Sequence, residues 1–249
     1  MQGNIDPDLR TVFDRLMRNR RQLTNEELAS MVAEEQSAAR RDLEERLRVA
    51  RIPKRFWSIT FDEIQRRGIN PNSEPQFAQA RTYADEIVSN IQTGTGLILA
   101  GTPGTLKTTI ATAVIRVAIE LRIGGLFVSM PGLPDIFGTQ AKTNREEYSR
   151  FQERLRSVPL LLMDDFGGEG LERWVAGKVD GLITDRWHEE KSIIITTNLT
   201  AEELKKSYSE RVIDRLRNSC IQINFAGPSQ RSKQMNLHRT AKAAEDPMA

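Results

Sequence analysis

The stretch GLILAGTPGTLKTT, residues 96–109, decides the reading of this chain. Leu97, Ile98, Leu99 and Ala100 form an apolar run of strand length. A loop carrying Gly101, Thr102, Pro103, Gly104, Thr105 and Leu106 follows and closes on Lys107, Thr108 and Thr109. The run TTIATAVIRVAIELR that comes next has helical periodicity. Strand, glycine-bearing loop, lysine, hydroxyl and helix in this order describe a phosphate-binding loop. Its backbone N–H groups cradle phosphates, its lysine reaches the β- and γ-phosphates, and the hydroxyl holds Mg²⁺. The usual pattern is G-x-x-x-x-G-K-[ST], and Leu106 stands where the second glycine belongs. A plain strand-to-helix turn is the competing reading, and the flanking elements argue against it.

Working outward, the chain of 249 residues is long enough for one α/β domain with a smaller appendage. A single cysteine, Cys220, excludes a disulfide framework and a cysteine-built zinc site, and two histidines leave little for any other metal cluster. No apolar run approaches membrane-spanning length and the N-terminus lacks a secretory pattern, so a cytoplasmic protein with no membrane partner is expected. The formal net charge of +2 does not by itself mark a nucleic-acid binder.

Residues 1–51 are rich in Arg, Glu, Leu and Ala and read as two helices, about 8–20 and 25–50. Thr24 and Glu27 are spaced as a capping box for the second. Because residues 33–42 offer little beyond alanine to bury, that helix is expected to be exposed or covered by a partner. The body, residues 52–232, alternates apolar strands with helical stretches, the pattern of a mainly parallel sheet covered on both faces. Its helices are expected at about 76–93, 133–156, 171–189 and 200–218. Residues 233–249 form a polar tail without periodicity, expected to be flexible.

A second phosphate-related signal is LLLMDD, residues 160–165. A buried strand ending in carboxylates suits Mg²⁺ coordination by Asp164 and water activation by Asp165, although turn-forming aspartates ahead of Gly167 are the ordinary alternative. Asn198, at the end of SIIITTN, is placed to contact the attacking water or the γ-phosphate. Thr200 and Glu203 can cap the next helix without it. In SERVIDRLRNS, Arg211 and Arg215 share a helical face and either is a candidate to act on a neighbouring subunit's γ-phosphate. Arg231, in GPSQRS, is a candidate contact within the same subunit. Lys142, Arg145, Arg150, Arg154 and Arg156 suggest a basic helix able to follow single-stranded DNA, diluted by Glu146, Glu147 and Glu153.

With RIPKRFWSITFDEI, GTPGTLKTT, VPLLLMDDFGGEGLERWV, IIITTN, ERVIDRLR and GPSQR in order over residues 51–232, the chain resembles the AAA+ ATPases of the bacterial and phage replicative helicase-loader group, the DnaC and DnaI type, itself similar to the IstB-type transposition ATPases. The resemblance implies a P-loop NTPase fold of the AAA+ type with a small helical N-terminal domain. It assigns Walker A to Gly101–Thr108, Walker B to Asp164 and Asp165, sensor 1 to Asn198, an arginine finger to Arg215 with Arg211 nearby, and sensor 2 to Arg231. It further implies ATP or ADP with Mg²⁺ as cofactors, slow ATP hydrolysis used as a switch, and assembly into a ring or spiral. A hexameric replicative helicase is the implied partner of residues 1–51, and single-stranded DNA of the body. Three departures stand out. Leu106 replaces the Walker A glycine and is expected to weaken ATP binding without abolishing it. The front segment lacks the zinc-binding cysteine cluster that some loaders carry, and Asp165 stands where many such ATPases carry glutamate. An IstB-like ATPase and a nucleotide-binding adaptor with little turnover are the alternatives.

Overall fold

In a computed structural model of the chain, residues 24–140, 143–168 and 173–230 are described. The helix read at 8–20, Lys142, Arg231 and the tail lie outside them. The chain divides into two compact units, 1–42 and 43–249.

Helix α1 spans Asn25–Val49. Thr24 and Glu27 form the expected capping box: Glu27 N–H donates to Thr24 Oγ1 at 3.2 Å, and Thr24 N–H to the Glu27 carboxylate at 3.0 Å. Residues 28–41 are exposed, Leu28, Met31 and Val32 among them, as the alanine-rich sequence predicts. The second unit starts at Leu43, earlier than the sequence boundary at Arg51, because Leu47, Ala50 and Ile52 are buried in its core.

Five strands build that unit: β1 Gly96–Gly101, β2 Gly125–Ser129, β3 Leu160–Asp164, β4 Ser192–Thr197 and β5 Cys220–Phe225. All pairings are parallel, in the order β2-β3-β4-β1-β5. Parallel neighbours require helical crossovers, and the sheet therefore has helices on both faces. The period of two in β3 sends Leu160 and Leu162 to one face and Leu161 and Met163 to the other. This is why the strand reads as unbroken apolar sequence. On the first face lie α5 (Lys107–Glu120), with Ile110, Val114 and Ile115, and α3 (Glu74–Asp85), with Phe77 and Tyr83. On the second lie α6 (Arg145–Ser157), α7 (Arg173–His188) and α9 (Glu210–Ser219), which contribute Phe151, Leu155, Val175, Val179, Ile213 and Leu216. Each such large aliphatic side chain contributes about 1.5–3 kcal/mol when fully buried.

Three helices read from sequence as continuous are broken, each for a local reason. The stretch 76–93 divides into α3 and α4 (Ile87–Gln92) around Glu86. There the buried Asn90 amide donates to the Tyr83 carbonyl at 3.0 Å, supplying the bond that Ile87 N–H would make in an unbroken helix. The stretch 200–218 divides into α8 (Ala201–Ser207) and α9, with Tyr208 extended and stacked on Phe166. Ser209 caps α9 by accepting from Val212 N–H. Between β2 and α6, short helical turns over Met130–Gln140 precede Asn144, whose side chain caps α6 by accepting from Glu147 N–H at 3.2 Å.

At the amino ends of the strands Arg186 is completely buried. Its guanidinium donates to the carbonyls of Leu155, Arg156, Val158, Pro159 and Ser192. Burial presses its pKa downward to about 9. The arginine ties the end of α6 to the starts of β3 and β4.

Candidate nucleotide-binding site

The phosphate loop joins β1 to α5, so the amino end of a 14-residue helix faces the carboxyl edge of the sheet. Gly101 and Gly104 have φ of 133° and 84°. A Cβ at Gly101 would lie 1.8 Å from the Phe225 carbonyl oxygen, and one at Gly104 2.0 Å from Ser229 Oγ. Only glycine fits either place. Leu106 is left-handed, with φ 68° and ψ 12°, and its side chain is 9% exposed within the core. The sequence departure is thus real in conformation: a leucine takes up the backbone geometry that a glycine adopts without steric cost.

Lys107 is 6% exposed, and its ammonium donates to Gly101 O at 2.7 Å, Thr102 O at 2.8 Å and Thr105 Oγ1 at 3.4 Å. The loop carbonyls and hydroxyl hold the charge at the loop floor. Thr108 Oγ1 donates to Asp164 Oδ1 at 2.7 Å, joining the start of α5 to the end of β3. Thr196 on β4 donates to the same oxygen at 2.6 Å and accepts from Asp165 N–H at 3.0 Å. Asp164 is 5% exposed. Burial raises its pKa above the ordinary carboxylate range, while the Thr196 and Thr108 hydrogen bonds and the charge of Arg55 pull it back. Asp165 follows with φ 56°, turning its side chain toward the cleft that Asn198 also lines.

That cleft has a volume of about 540 Å³. Gly104 through Thr109 line it, with Arg55, Phe56, Ile59, Arg67, Asp165 and Asn198. Three cations, Arg55, Arg67 and the buried Lys107, against one lining carboxylate, together with a helix amino end, form a donor set that fits a polyanion. The Thr108 hydroxyl beside the Asp164 carboxylate fits a hard divalent cation. Among the described residues no cluster of three or more His, Cys, Asp or Glu could hold a metal on its own, so such a cation would depend on ligand oxygens as well.

Asn198 reaches the cleft because the helix cap is made without it: Thr200 and Glu203 form the capping box of α8. Arg211 and Arg215 do not line their own cleft. Arg211 is exposed, while Arg215 donates to Thr184 Oγ1 and lies over the Trp187 ring at 5.0 Å. On α6 much of the basic charge is engaged: Arg150 with Glu146 at 2.5 Å, Arg156 with Asp185 at 2.9 Å, and Arg154 with the Val49 carbonyl. Sequence reasoning missed Thr196, Arg55 and Arg67. The apolar neighbours of Thr196 in IIITT disguise it as strand filler, and neither arginine lies in a nucleotide motif.

Among the described residues no helix is long and apolar enough to cross a membrane. The family described as IstB-like ATP binding protein matches this chain over residues 15–238. The replicative helicase loader DnaC of Escherichia coli (strain K12) is 28% identical over 160 residues, 63% of either chain. DnaI of Bacillus subtilis (strain 168), also a replicative helicase loader, is 28% identical over 124 residues, 47% of this chain and 38% of that one. The chain thus spans less than two thirds of the length of these relatives. In fold it is similar to a crystal structure of the DnaC helicase loader, with TM-score 0.61 and 24% identity over 70% of this chain and 100% of that chain. It is also similar to AMPPCP-bound DnaA from Aquifex aeolicus, with TM-score 0.54 and 16% identity over 77% of this chain and 56% of that one. The parallel five-stranded sheet and its phosphate loop are those of an AAA+ P-loop NTPase. With a family match running through both the phosphate loop and the Asp164 strand, the chain belongs to the IstB-like ATP-binding protein family.

Proposed function

We propose that this protein is an ATP-switched loader of a replicative DNA helicase onto single-stranded DNA. The observation that carries the reading is the network in which Thr108, Asp164, Thr196 and the Asp165 amide meet beside the buried Lys107. The similarity to loaders of the DnaC and DnaI type directs it toward helicase loading rather than another ATP-driven task.

Bound Mg²⁺ and ATP supply the divalent charge and the reactive γ-phosphoryl group. The backbone N–H groups of Gly104–Thr109 and the Lys107 ammonium would bind phosphate oxygens, and Thr108 with Asp164 would hold the metal. Thr196 orients the Asp164 carboxylate and fixes the backbone of Asp165, whose side chain, with Asn198, orients the attacking water. Arg215, with Arg211 one turn away, is assigned to the γ-phosphate of a neighbouring protomer in a ring or spiral, and Arg231 to that of its own. Residues 1–51 are assigned to the helicase and 233–249 to a tail. The exposed ion pairs on α6, worth about 0–1 kcal/mol each, leave Arg150 and Arg156 available to DNA phosphates. The left-handed Leu106 and the short Asp165 side chain favour a second reading, a nucleotide-binding adaptor with little turnover.

The test has two parts. ATP binding and hydrolysis are measured for the wild type, Lys107→Ala and Arg215→Ala. Loss of binding in the first variant, and loss of hydrolysis with binding kept in the second, are expected. Co-purification with the hexameric helicase is then compared for the wild type and the double variant Leu28→Glu, Met31→Glu on the exposed stripe of α1. No binding at millimolar ATP sinks the ATPase reading; preference for duplex DNA without helicase binding favours a transposition ATPase.

A further inference from the structure

Arg55 lies in RIPKRFWSITFDEI, a stretch to which no role at the nucleotide is assigned above, yet it lines the same cleft as Lys107, Thr108, Asp165 and Asn198. We propose that Arg55 binds the phosphate chain of the nucleotide in the same subunit, delivered by the linker that follows α1. The inference rests on the nucleotide-binding reading above and adds to it a residue from outside the phosphate loop.

The linker is built to hold one position. Pro53 starts a 3₁₀ turn over Lys54–Phe56, in which Phe56 N–H donates to Pro53 O at 2.8 Å. The Trp57 indole N–H donates to Ile52 O at 2.8 Å, Arg116 on α5 donates to the Trp57 carbonyl, and Ile52 and Ile59 are buried on either side. The backbone at Arg55 is thereby fastened to the helix that carries the phosphate loop. Its guanidinium lies over the Phe56 ring, 4.6 Å from the centroid, which narrows its conformational freedom before a ligand arrives.

The two linker-side arginines of the cleft differ in kind. Arg67, at the end of α2 (Phe61–Arg67), is held by an ion pair with Glu63 at 2.5 Å, a carboxylate that Arg66 shares. No ion pair engages Arg55 among the described residues, and its side chain lines the cleft beside Lys107 and Asp165. An arginine with an uncompensated charge, stacked and fixed, is suited to bidentate contact with phosphate oxygens. The alternative occupant of this end of the cleft is the nucleotide base, lying against Phe56 and Ile59. In that case Arg55 would affect all adenine nucleotides alike.

The experiment measures competition of ATP, ADP and AMP against a fluorescent ATP analogue, with Mg²⁺, on the full chain. The proteins are the wild type, Arg55→Met, Arg55→Lys and, as a control, Arg48→Met, an exposed charge on α1 that pairs with Glu45 and does not line the cleft. Methionine preserves an apolar stem against Phe56, and thermal melting checks that the fold is kept. Arg55→Met is expected to weaken ATP by about ten- to a hundredfold, the loss of a charge-assisted hydrogen bond, with AMP unchanged. Arg55→Lys should recover part of the ATP affinity. Equal losses for ATP, ADP and AMP, or ATP affinity within about twofold of wild type, overturn the proposal while leaving the ATPase reading intact. Failure of the wild type to bind ATP overturns both.

Discussion

Replacing Leu106 sets two effects of similar size against each other, and their order can be worked from the structure. The residue sits at φ 68° and ψ 12°, where a side chain with a Cβ costs about 1–2 kcal/mol relative to glycine. Its side chain is 9% exposed and packed in the core, a burial worth about 1.5–3 kcal/mol, with a further loss if truncation leaves a void. Leu106→Ala loses the packing and keeps the strained backbone, so a destabilisation of about 2–4 kcal/mol is expected. Leu106→Gly loses the same packing but relieves the strain, which brings the expected loss to about 1–3 kcal/mol. Glycine should therefore be the more stable of the two by about 1 kcal/mol, although glycine normally ranks below alanine at the start of a helix. In a unit of this size the difference is about 2–4 °C in Tm. Urea and thermal melts of the three proteins without nucleotide measure it. An alanine variant as stable as the glycine variant, or more so, refutes the reasoning, because the left-handed conformation would not then be limiting. The same geometry bears on the weakened ATP binding expected from the sequence. A loop that is already left-handed before nucleotide arrives takes its conformational cost from folding stability and not from affinity. ATP binding by Leu106→Gly should therefore stay within about threefold of wild type, less than the tenfold that 1.4 kcal/mol would produce.

Two further predictions concern buried charge. Asp164 has a raised pKa, so the folded state holds its proton more tightly than the unfolded chain, and ionisation costs stability as pH climbs from about 4 through the folded value. Asp164→Asn should match wild type in Tm near pH 4 and become increasingly more stable toward neutral pH, while losing Mg²⁺-dependent hydrolysis; a Tm gap independent of pH would show that burial of this charge is not what strains the site. Arg186→Met removes five hydrogen bonds made by the two terminal guanidinium nitrogens and leaves buried carbonyls unpaired at about 1–3 kcal/mol each before relaxation. Loss of more than about 4 kcal/mol is expected, and a change under about 1 kcal/mol in urea unfolding contradicts the role given to this side chain.

The parts of the fold legible in sequence are those governed by local periodicity or by a ligand's geometry. Strands β1 to β4 announce themselves as apolar runs because a parallel sheet covered on both faces leaves little polar alternation, whereas the edge strand β5 alternates Ile221, Ile223 and Phe225 with exposed Gln222 and Asn224. Lys107, Thr108, Asp164 and Asp165 are recognisable by their places at the ends of β1 and β3, which the Thr108–Asp164 hydrogen bond brings together. Helix interruptions at Glu86 and Tyr208 were hidden, since each depends on a side chain meeting a backbone group or ring that sequence periodicity does not locate: Asn90 on the Tyr83 carbonyl, and Tyr208 on Phe166. Thr196 escaped notice for a similar reason. Its chemistry comes from strand order, which puts β4 between β1 and β3 and so lets its hydroxyl reach Asp164. Arg186 looks like any arginine near the end of an amphipathic helix; only the convergence of α6, β3 and β4 gives it acceptors in place of solvent.

The phosphate loop is also braced from far along the chain. Thr102 N–H donates to Phe225 O, Thr102 Oγ1 donates to Gly227 O from 125 positions away, and Gln230 N–H donates to Gly104 O. A ribosome delivers β1 and the loop long before any of these supports, and β1 must wait for β4 and β5 before it has a neighbour on either side. Such non-local closure is slow relative to helix formation and exposes apolar strand edges while it lasts. The ATP cleft is therefore among the last parts of the molecule to be completed during synthesis. A nascent chain cut short before Phe225 would carry every Walker residue and still present no finished cradle for phosphate.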